Sequence, residues 1–245
     1  MSVGRTRATA IRVLRQLRHD PRTVALLLLV PCVLEFLVYE LFSDQPGVFQ
    51  SLGVPLLGLF PFVAMFIVTS ITMLRERTSG TLERLLTTPL GRGDLLVGYG
   101  IAFALVAALQ ATLVSLLSFG LLGLESGHRP VWVVAMAIAN AVLGMALGLF
   151  LSAFARTEFQ AVQFMPAFVL PQILLCGLIV PRDEMAGWLE ALSALLPLTY
   201  AYDALARLAS SDPLGTRFWL DVAVVLGATV LSLALGAGTL RRRTA

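Results

Sequence analysis

The sequence predicts an all-α protein that crosses a membrane several times, and three observations carry that expectation. Hydrophobic residues make up 58% of the 245 residues and charged residues only 13%, against about 25% charged in a soluble domain. The apolar residues fall in runs of about twenty or more, the length a helix needs to cross a hydrocarbon layer about 30 Å thick. The arginines gather in the polar breaks between these runs. Six runs read as transmembrane helices of a single domain over residues 1–245.

Residues 1–22 hold six arginines. Ile11, Leu14 and Leu17 fall on one face of a helix there, and Arg12, Arg15 and Arg18 on another. A basic amphipathic helix of this kind lies in the membrane interface, drawn to anionic lipid. Nucleic-acid binding is not expected, because no base-reading module follows the basic arm. Asp20-Pro21 then breaks the helix.

The first span, about 23–42, is long enough to cross and has no small-residue cleavage site, so it reads as retained and not as a signal peptide. It carries Pro31, Glu40 near its outer end and Glu35 deeper in, where an unpaired charge costs several kcal/mol. Glu35 is open to two readings: a group facing a polar cavity or subunit interface, or a protonated carboxyl with no transport role. The second span, about 54–74, holds Pro55 and Pro61; the third, about 95–122, holds Gln110. The fourth, about 131–154, presents Asn140, Gly144 and Gly148 as a polar, small-residue face that permits close helix approach.

The fifth span, about 161–180, has Pro166 and Pro171 inside it. Its hydrogen-bond ladder is interrupted twice, and the freed carbonyls need partners from neighbouring groups. It is either a broken helix lining a pathway or simply a kinked one. Glu35, Gln110, Asn140, Gln163 and Gln172 are the candidate pathway residues. Residues 181–217 are too polar for a full span, with Glu190, Pro197, Asp203 and Arg207 in their middle. They read as an outer re-entrant segment, with two short helices flanking Pro197. The last span covers about 218–240. With six spans and a cytoplasmic amino terminus, fourteen of the eighteen arginines are cytoplasmic and only Arg129, Arg182, Arg207 and Arg217 face outward.

Chemistry by this chain alone is not expected. All eighteen basic residues are arginine, which excludes a P-loop lysine, a Schiff-base lysine and a kinase-type lysine. Cys32 and Cys176 lie in apolar runs and read as small buried hydrophobes. His19 and His128 have no second ligand at metal spacing.

The central polar stretch, 75–94, reads RERTSGTLERLLTTPLGRGD. Gly80 can cap a short helix with Glu83 at its third position, Leu82, Leu85 and Leu86 recur on one face, and Pro89 ends it. By pattern this is a rigid amphipathic helix or a loop lying on headgroups. Arg75-Glu76-Arg77, Gly80-Thr81-Leu82-Glu83, Leu85, Leu86 and Pro89 resemble the pattern R-x-E/R-x-x-G-T-L-E-x-L-x-x-x-P of type-2 ATP-binding cassette exporter permeases, the group that includes daunorubicin-resistance-type permeases. Arg18-His19-Asp20-Pro21 is similar to that family's lead into its first span, with His19 where arginine is usual. Pro197-Leu198-Thr199-Tyr200, followed by Arg207, is similar to the stretch before its last span.

The resemblance implies a permease subunit that pairs with a second permease, identical or not, and with cytoplasmic ATPase subunits that bind ATP and Mg. The stretch 75–94 would be the coupling helix docking on the ATPase through Glu76, Arg77, Gly80, Thr81, Leu82, Glu83, Arg84 and Leu85. The chain is expected to be a multi-pass protein of the cytoplasmic membrane, with both termini inside, that effluxes a drug, antibiotic or lipid. An integral membrane enzyme acting on lipid and a non-transporting permease-like scaffold are the rival readings.

Overall fold

The computed structural model of the chain describes residues 3–79 and 91–239, and every regular element in them is helical. Helix α1 (Val3–Arg18) buries Thr6, Thr9, Ala10 and Val13, spaced three and four apart, and packs on α4 (Arg92–Gly120). Gly98 of α4 makes the approach possible. A Cβ there would come within 2.6 Å of the Thr9 Cβ and 2.9 Å of the Thr6 carbonyl oxygen.

This corrects part of the helix face read from the sequence, in which Leu14 and Leu17 do pack against buried core residues. Ile11 is left 37% exposed, and Arg12 turns into the protein instead of toward lipid. Small residues let two helix backbones approach closely, and that contact outweighed the larger but scattered apolar side chains.

Helix α2 (Pro21–Leu41) starts at an Asp20 cap, with the Thr23 amide donating to Oδ1 at 3.2 Å and Pro21 in the first turn. Leu26, Leu29, Val30, Val33 and Leu37 form an exposed apolar stripe on its outer side. Pro31 cannot donate to the carbonyl of Leu27. The side-chain amide of Gln110 on α4 donates to that carbonyl instead.

The centre of the bundle is the seam between α3 (Pro46–Thr78) and α5 (Pro130–Leu151). A Cβ on Gly144 would overlap the Phe62 carbonyl oxygen, and one on Gly148 would overlap the Phe66 carbonyl oxygen and the Thr69 hydroxyl. Thr69 Oγ1 donates to the Met65 carbonyl at 2.7 Å and lies 3.2 Å from that of Met145, tying the two helices together. Leu57, Phe62, Phe66, Leu143 and Leu205 pack in one core cluster around the seam, and Met65, Met73, Leu95, Tyr99, Phe103 and Met145 in a second.

The stretch read as a fifth span is helical but broken. Helix α6 (Glu158–Phe164) runs into a π-turn (Met165–Val169) and then α7 (Leu170–Leu175). Pro166 and Pro171 remove two donors, and the Leu170 amide reaches back five residues to Met165. The chain then turns at Gly177, whose φ is +107°. Among the described residues, five helices are therefore long and apolar enough to cross a membrane: α2, α3, α4, α5 and α10 (Thr216–Thr239).

Between the broken helix and α10 come α8 (Gly187–Ser193) and α9 (Pro197–Ala209), the two short helices expected around Pro197. Helix α9 buries Leu198, Thr199, Ala201, Ala204, Leu205 and Leu208 against α3, α5 and α10. Leu205 occupies the space a side chain at Gly58 would need.

The helix ends sort into two groups. At one end the 121–129 loop is clamped by Gln50, which donates to the Gly123 carbonyl at 3.0 Å and accepts from the Glu125 amide at 2.7 Å; Gly127 donates to Ala209 at 3.1 Å. At the opposite end lie α1, the last turn of α3, the start of α4, the 152–157 turn and the end of α10. Replacing Gly148 with alanine should cost about 3 kcal/mol, because the seam has no room for a methyl group. Gly120→Ala, with nothing within 4 Å of the new Cβ, should be neutral. Thermal unfolding in detergent checks both, with a fall of roughly 6–12 °C expected only for Gly148→Ala.

Candidate functional site

The most heavily connected polar assembly lies at the α1 end. Glu76, in the last turn of α3, is 7% exposed. Its Oε1 accepts from Arg12 Nη1 at 3.4 Å and from Gln16 Nε2 at 3.3 Å. Arg12 also donates through Nη2 to the Tyr99 hydroxyl of α4, with its guanidinium carbon 5.5 Å from the Tyr99 ring centroid. One arginine thus joins α1, α3 and α4. Buried charges need such partners, since an isolated one pays its full desolvation cost.

The flanking arginines extend the assembly. Arg75 makes a bidentate pair with Glu158 of α6, Nε to Oε1 at 2.7 Å and Nη2 to Oε2 at 3.0 Å. That hydrogen bonding holds the Glu158 carboxyl below its usual range. Arg77, half-buried, donates to Thr239 Oγ1 at 3.1 Å, at the end of α10. Asp20 is held below the usual carboxylate range by the Thr23 hydroxyl and amide. Three consecutive residues of α3 therefore connect to α1 and α4, to α6 and to α10. Of the coupling candidates, Glu76 and Arg77 belong to this assembly. Gly80, Thr81, Leu82, Glu83, Arg84 and Leu85 lie outside the described residues.

The five pathway candidates are dispersed, with no single lining formed. Glu35 is fully buried between α2 and α3, beneath Leu124, with both oxygens unpartnered among the described residues. Gln110 serves the Leu27 carbonyl, and Asn140 donates to the Gly58 carbonyl at 3.0 Å. Gln172 donates to the Phe168 carbonyl at 3.0 Å and accepts from the Leu198 amide at 3.4 Å. Gln163 is exposed on the outside of the broken helix, in a groove with Arg156 and Gln160. The cavity beside Asn140 holds only about 10 Å³.

Sequence reasoning missed the ion pairs at the other end. Arg182 donates to Asp203 Oδ2 at 2.9 Å, and Arg207 and Arg217 both approach Asp221, at 3.4 and 3.6 Å. The available signal was Asp221 itself, a carboxylate inside an apolar run, which calls for a cation at helical spacing or on a neighbouring element.

The Arg12–Glu76 pair is testable as a unit. Arg12→Leu strands a nearly buried carboxylate and should cost about 2–3 kcal/mol, less than a fully buried pair because Arg12 is partly exposed. Adding Glu76→Gln should recover most of that loss, a coupling that a double-mutant cycle of thermal unfolding would read directly.

Known proteins align with the same elements. Residues 5–208, from α1 through most of α9, match the family described as ABC-2 type transporter. Over 171 residues the chain is 30% identical to "Probable multidrug ABC transporter permease YbhR" of Escherichia coli K12, covering 67% of this chain and 46% of YbhR. It is 28% identical over 172 residues to "Probable multidrug ABC transporter permease YbhS" of the same organism, covering 69% and 45%. To "Linearmycin resistance permease protein LnrN" of Bacillus subtilis it is 24% identical over 170 residues, covering 69% and 44%. The matched part thus spans a little under half the length of these relatives. Because the family match covers residues 5–208, well over half of the chain, the chain belongs to the ABC-2 type transporter family.

Proposed function

We propose that this chain is the transmembrane permease subunit of an ATP-binding cassette exporter, moving a hydrophobic or amphipathic compound such as a drug, an antibiotic or a lipid. The observation that carries the reading is the convergence of α1, α3, α4, α6 and α10 on Glu76, Arg75, Arg77 and their partners, directly before the 80–90 stretch with its Gly-Thr-Leu-Glu core. A force applied to that stretch by a partner would reach most of the bundle through packed, ion-paired elements. The printed names of YbhR and LnrN, a multidrug permease and a linearmycin resistance permease, support an efflux role.

In this reading, ATP and Mg are bound by separate cytoplasmic ATPase subunits, and the residues 75–94, with Leu82, Glu83 and Leu85 at their centre, dock on them as a coupling helix. Two permease copies form the pathway. Coupling requires the ATPase to favour one of two permease states by differential binding. The broken helix over 158–175 serves as the sixth span, and the segment 181–217 re-enters the outer leaflet. The α1 end, which carries Arg5, Arg7, Arg12, Arg15, Arg18, Arg75, Arg77 and Arg156, faces the cytoplasm, as the positive-inside rule favours for a protein of the cytoplasmic membrane.

Glu83→Arg, or Leu82→Ala with Leu85→Ala, should lower ATP-dependent accumulation of substrate in inverted vesicles by about tenfold or more while insertion stays intact, the loss expected when a docking helix is disabled. Full activity in both variants would remove the coupling role, and failure to co-purify with any ATPase would remove the exporter reading. Orientation has its own check. Ser193 is buried between the Glu190 carbonyl and Arg182, so the exposed Glu184 is the better reporter. In a Cys32→Ala/Cys176→Ala background, Glu184→Cys should react with an impermeant thiol reagent added outside the cell, and labelling only from inside would reverse the orientation.

A further inference from the structure

Glu35 of α2 is fully buried, and neither of its carboxyl oxygens has a hydrogen-bond or ion-pair partner among the described residues. Glu76 and Asp221 are buried as well, but each faces an arginine. An ionised carboxylate held away from water with neither a cation nor a donor costs several kcal/mol, so the form this site holds is the neutral acid.

The cover over the carboxyl is Leu124 of the 121–129 loop, itself buried. A Cβ on Gly53 would come within 2.6 Å of Leu124 Cδ1 and 3.4 Å of Glu35 Oε1. The bare backbone of α3 at Gly53 is therefore the notch in which Leu124 sits against the acid. Gly123, with φ of +65°, turns the chain there in a conformation other residues rarely adopt. Gln50, one turn before Gly53, grips the loop on both sides of Leu124, at the Gly123 carbonyl and at the Glu125 amide. Glu125 is already exposed, so one residue separates the cover from water.

The titratable neighbours leave the acid without a counter-ion. On α2, Cys32 and Tyr39 lie one turn to either side and Glu40 is exposed. From α3 comes the neutral Gln50, and from the end of α4 Ser118, bonded to its own helix. In the loop Glu125 and Arg129 are exposed and His128 is half-buried, and none of the three is ion-paired with Glu35.

We propose that Glu35 is a reversible proton-binding site under a lid, keeping its proton while Leu124 is seated and exchanging it with water when the loop lifts. Seating and protonation favour one another by linkage. The seated loop binds the proton more tightly than the lifted one, so falling pH favours seating and rising pH favours lifting. Gln50 sets how firmly the lid is held.

Infrared spectroscopy of the full-length chain in detergent, titrated from about pH 5 to about pH 9, tests this. A carboxylic-acid carbonyl component should persist at about pH 7, well above the ordinary range of glutamate, and Glu35→Gln should remove it. Gln50→Leu frees the loop and should lower the midpoint of that component by about one pH unit, a tenfold weaker hold on the proton. Leu124→Ala should move it in the same direction, and makes the comparison if Gln50→Leu fails to fold. Identical spectra of the wild type and Glu35→Gln at about pH 7 would overturn the proton site. A midpoint that stays put in the folded lid variants would overturn the lid. The measurement uses no ATPase, nucleotide or cargo, so its outcome is separate from that of the exporter reading. Only the placing of this loop outside the cell rests on the orientation given above.

Discussion

Because Gly144 and Gly148 carry no side chain, α5 can lie with its backbone against the carbonyl oxygens of Phe62 and Phe66, and the rest of the bundle is arranged about that contact. In a bilayer, apolar side chains gain little by leaving lipid for a protein interior, so association depends on close packing and on hydrogen bonds. The seam has both: two glycines one helical turn apart, Thr69 bridging toward the Met145 carbonyl, and Asn140 donating to the Gly58 carbonyl. Gly58 in turn leaves the space that Leu205 of α9 fills. The helix before the last span can therefore pack on the centre of the molecule only because the two central helices left a notch for it.

A second constraint shapes the polar residues. Without water in the hydrocarbon layer, every carbonyl released by a proline must find a donor in the protein. Gln110 answers Pro31 by donating to Leu27, while Gln172 donates to the Phe168 carbonyl, one position past the Ala167 carbonyl that Pro171 leaves free. Amides that looked like pathway residues are thereby occupied in holding backbone. Glu35 differs from them, buried beneath Leu124 with no such duty.

Much of this was legible in the sequence where a single strong physical requirement acted. The long apolar runs predicted the helices, Pro166 and Pro171 announced the broken one, and the small-residue face of Gly144 and Gly148 marked the seam. The pair of short helices around Pro197 followed from charges too costly for a full span. What was not legible depended on partners distant in sequence. Nothing near Arg12 shows that Glu76 and Tyr99, 64 and 87 residues away, will draw it inward. Helical periodicity put Arg12 with Arg15 and Arg18 on a lipid-facing side, and only the Thr9–Gly98 contact, which rotates α1 onto α4, explains the outcome. The Arg207–Asp221–Arg217 group joins α9 to α10, and although Asp221 inside an apolar run called for a cation, nothing local in the sequence says that Arg207, 14 residues earlier, supplies one.

Helix α3 has one further property. Its 33 residues extend about 50 Å at 1.5 Å per residue, well beyond the roughly 30 Å of hydrocarbon a span must cross. Both prolines lie in its first half, at Pro55 and Pro61, and the stretch after them to Thr78 is uninterrupted. The helix is therefore a stiff shaft with its compliance concentrated near one end. A small bend at the prolines is magnified along the shaft into a displacement of several ångströms at Arg75, Glu76 and Arg77, the residues that connect to α1, α4, α6 and α10. Run in reverse, a push at those residues becomes leverage on the proline region, where α9 rests in the notch of Gly58.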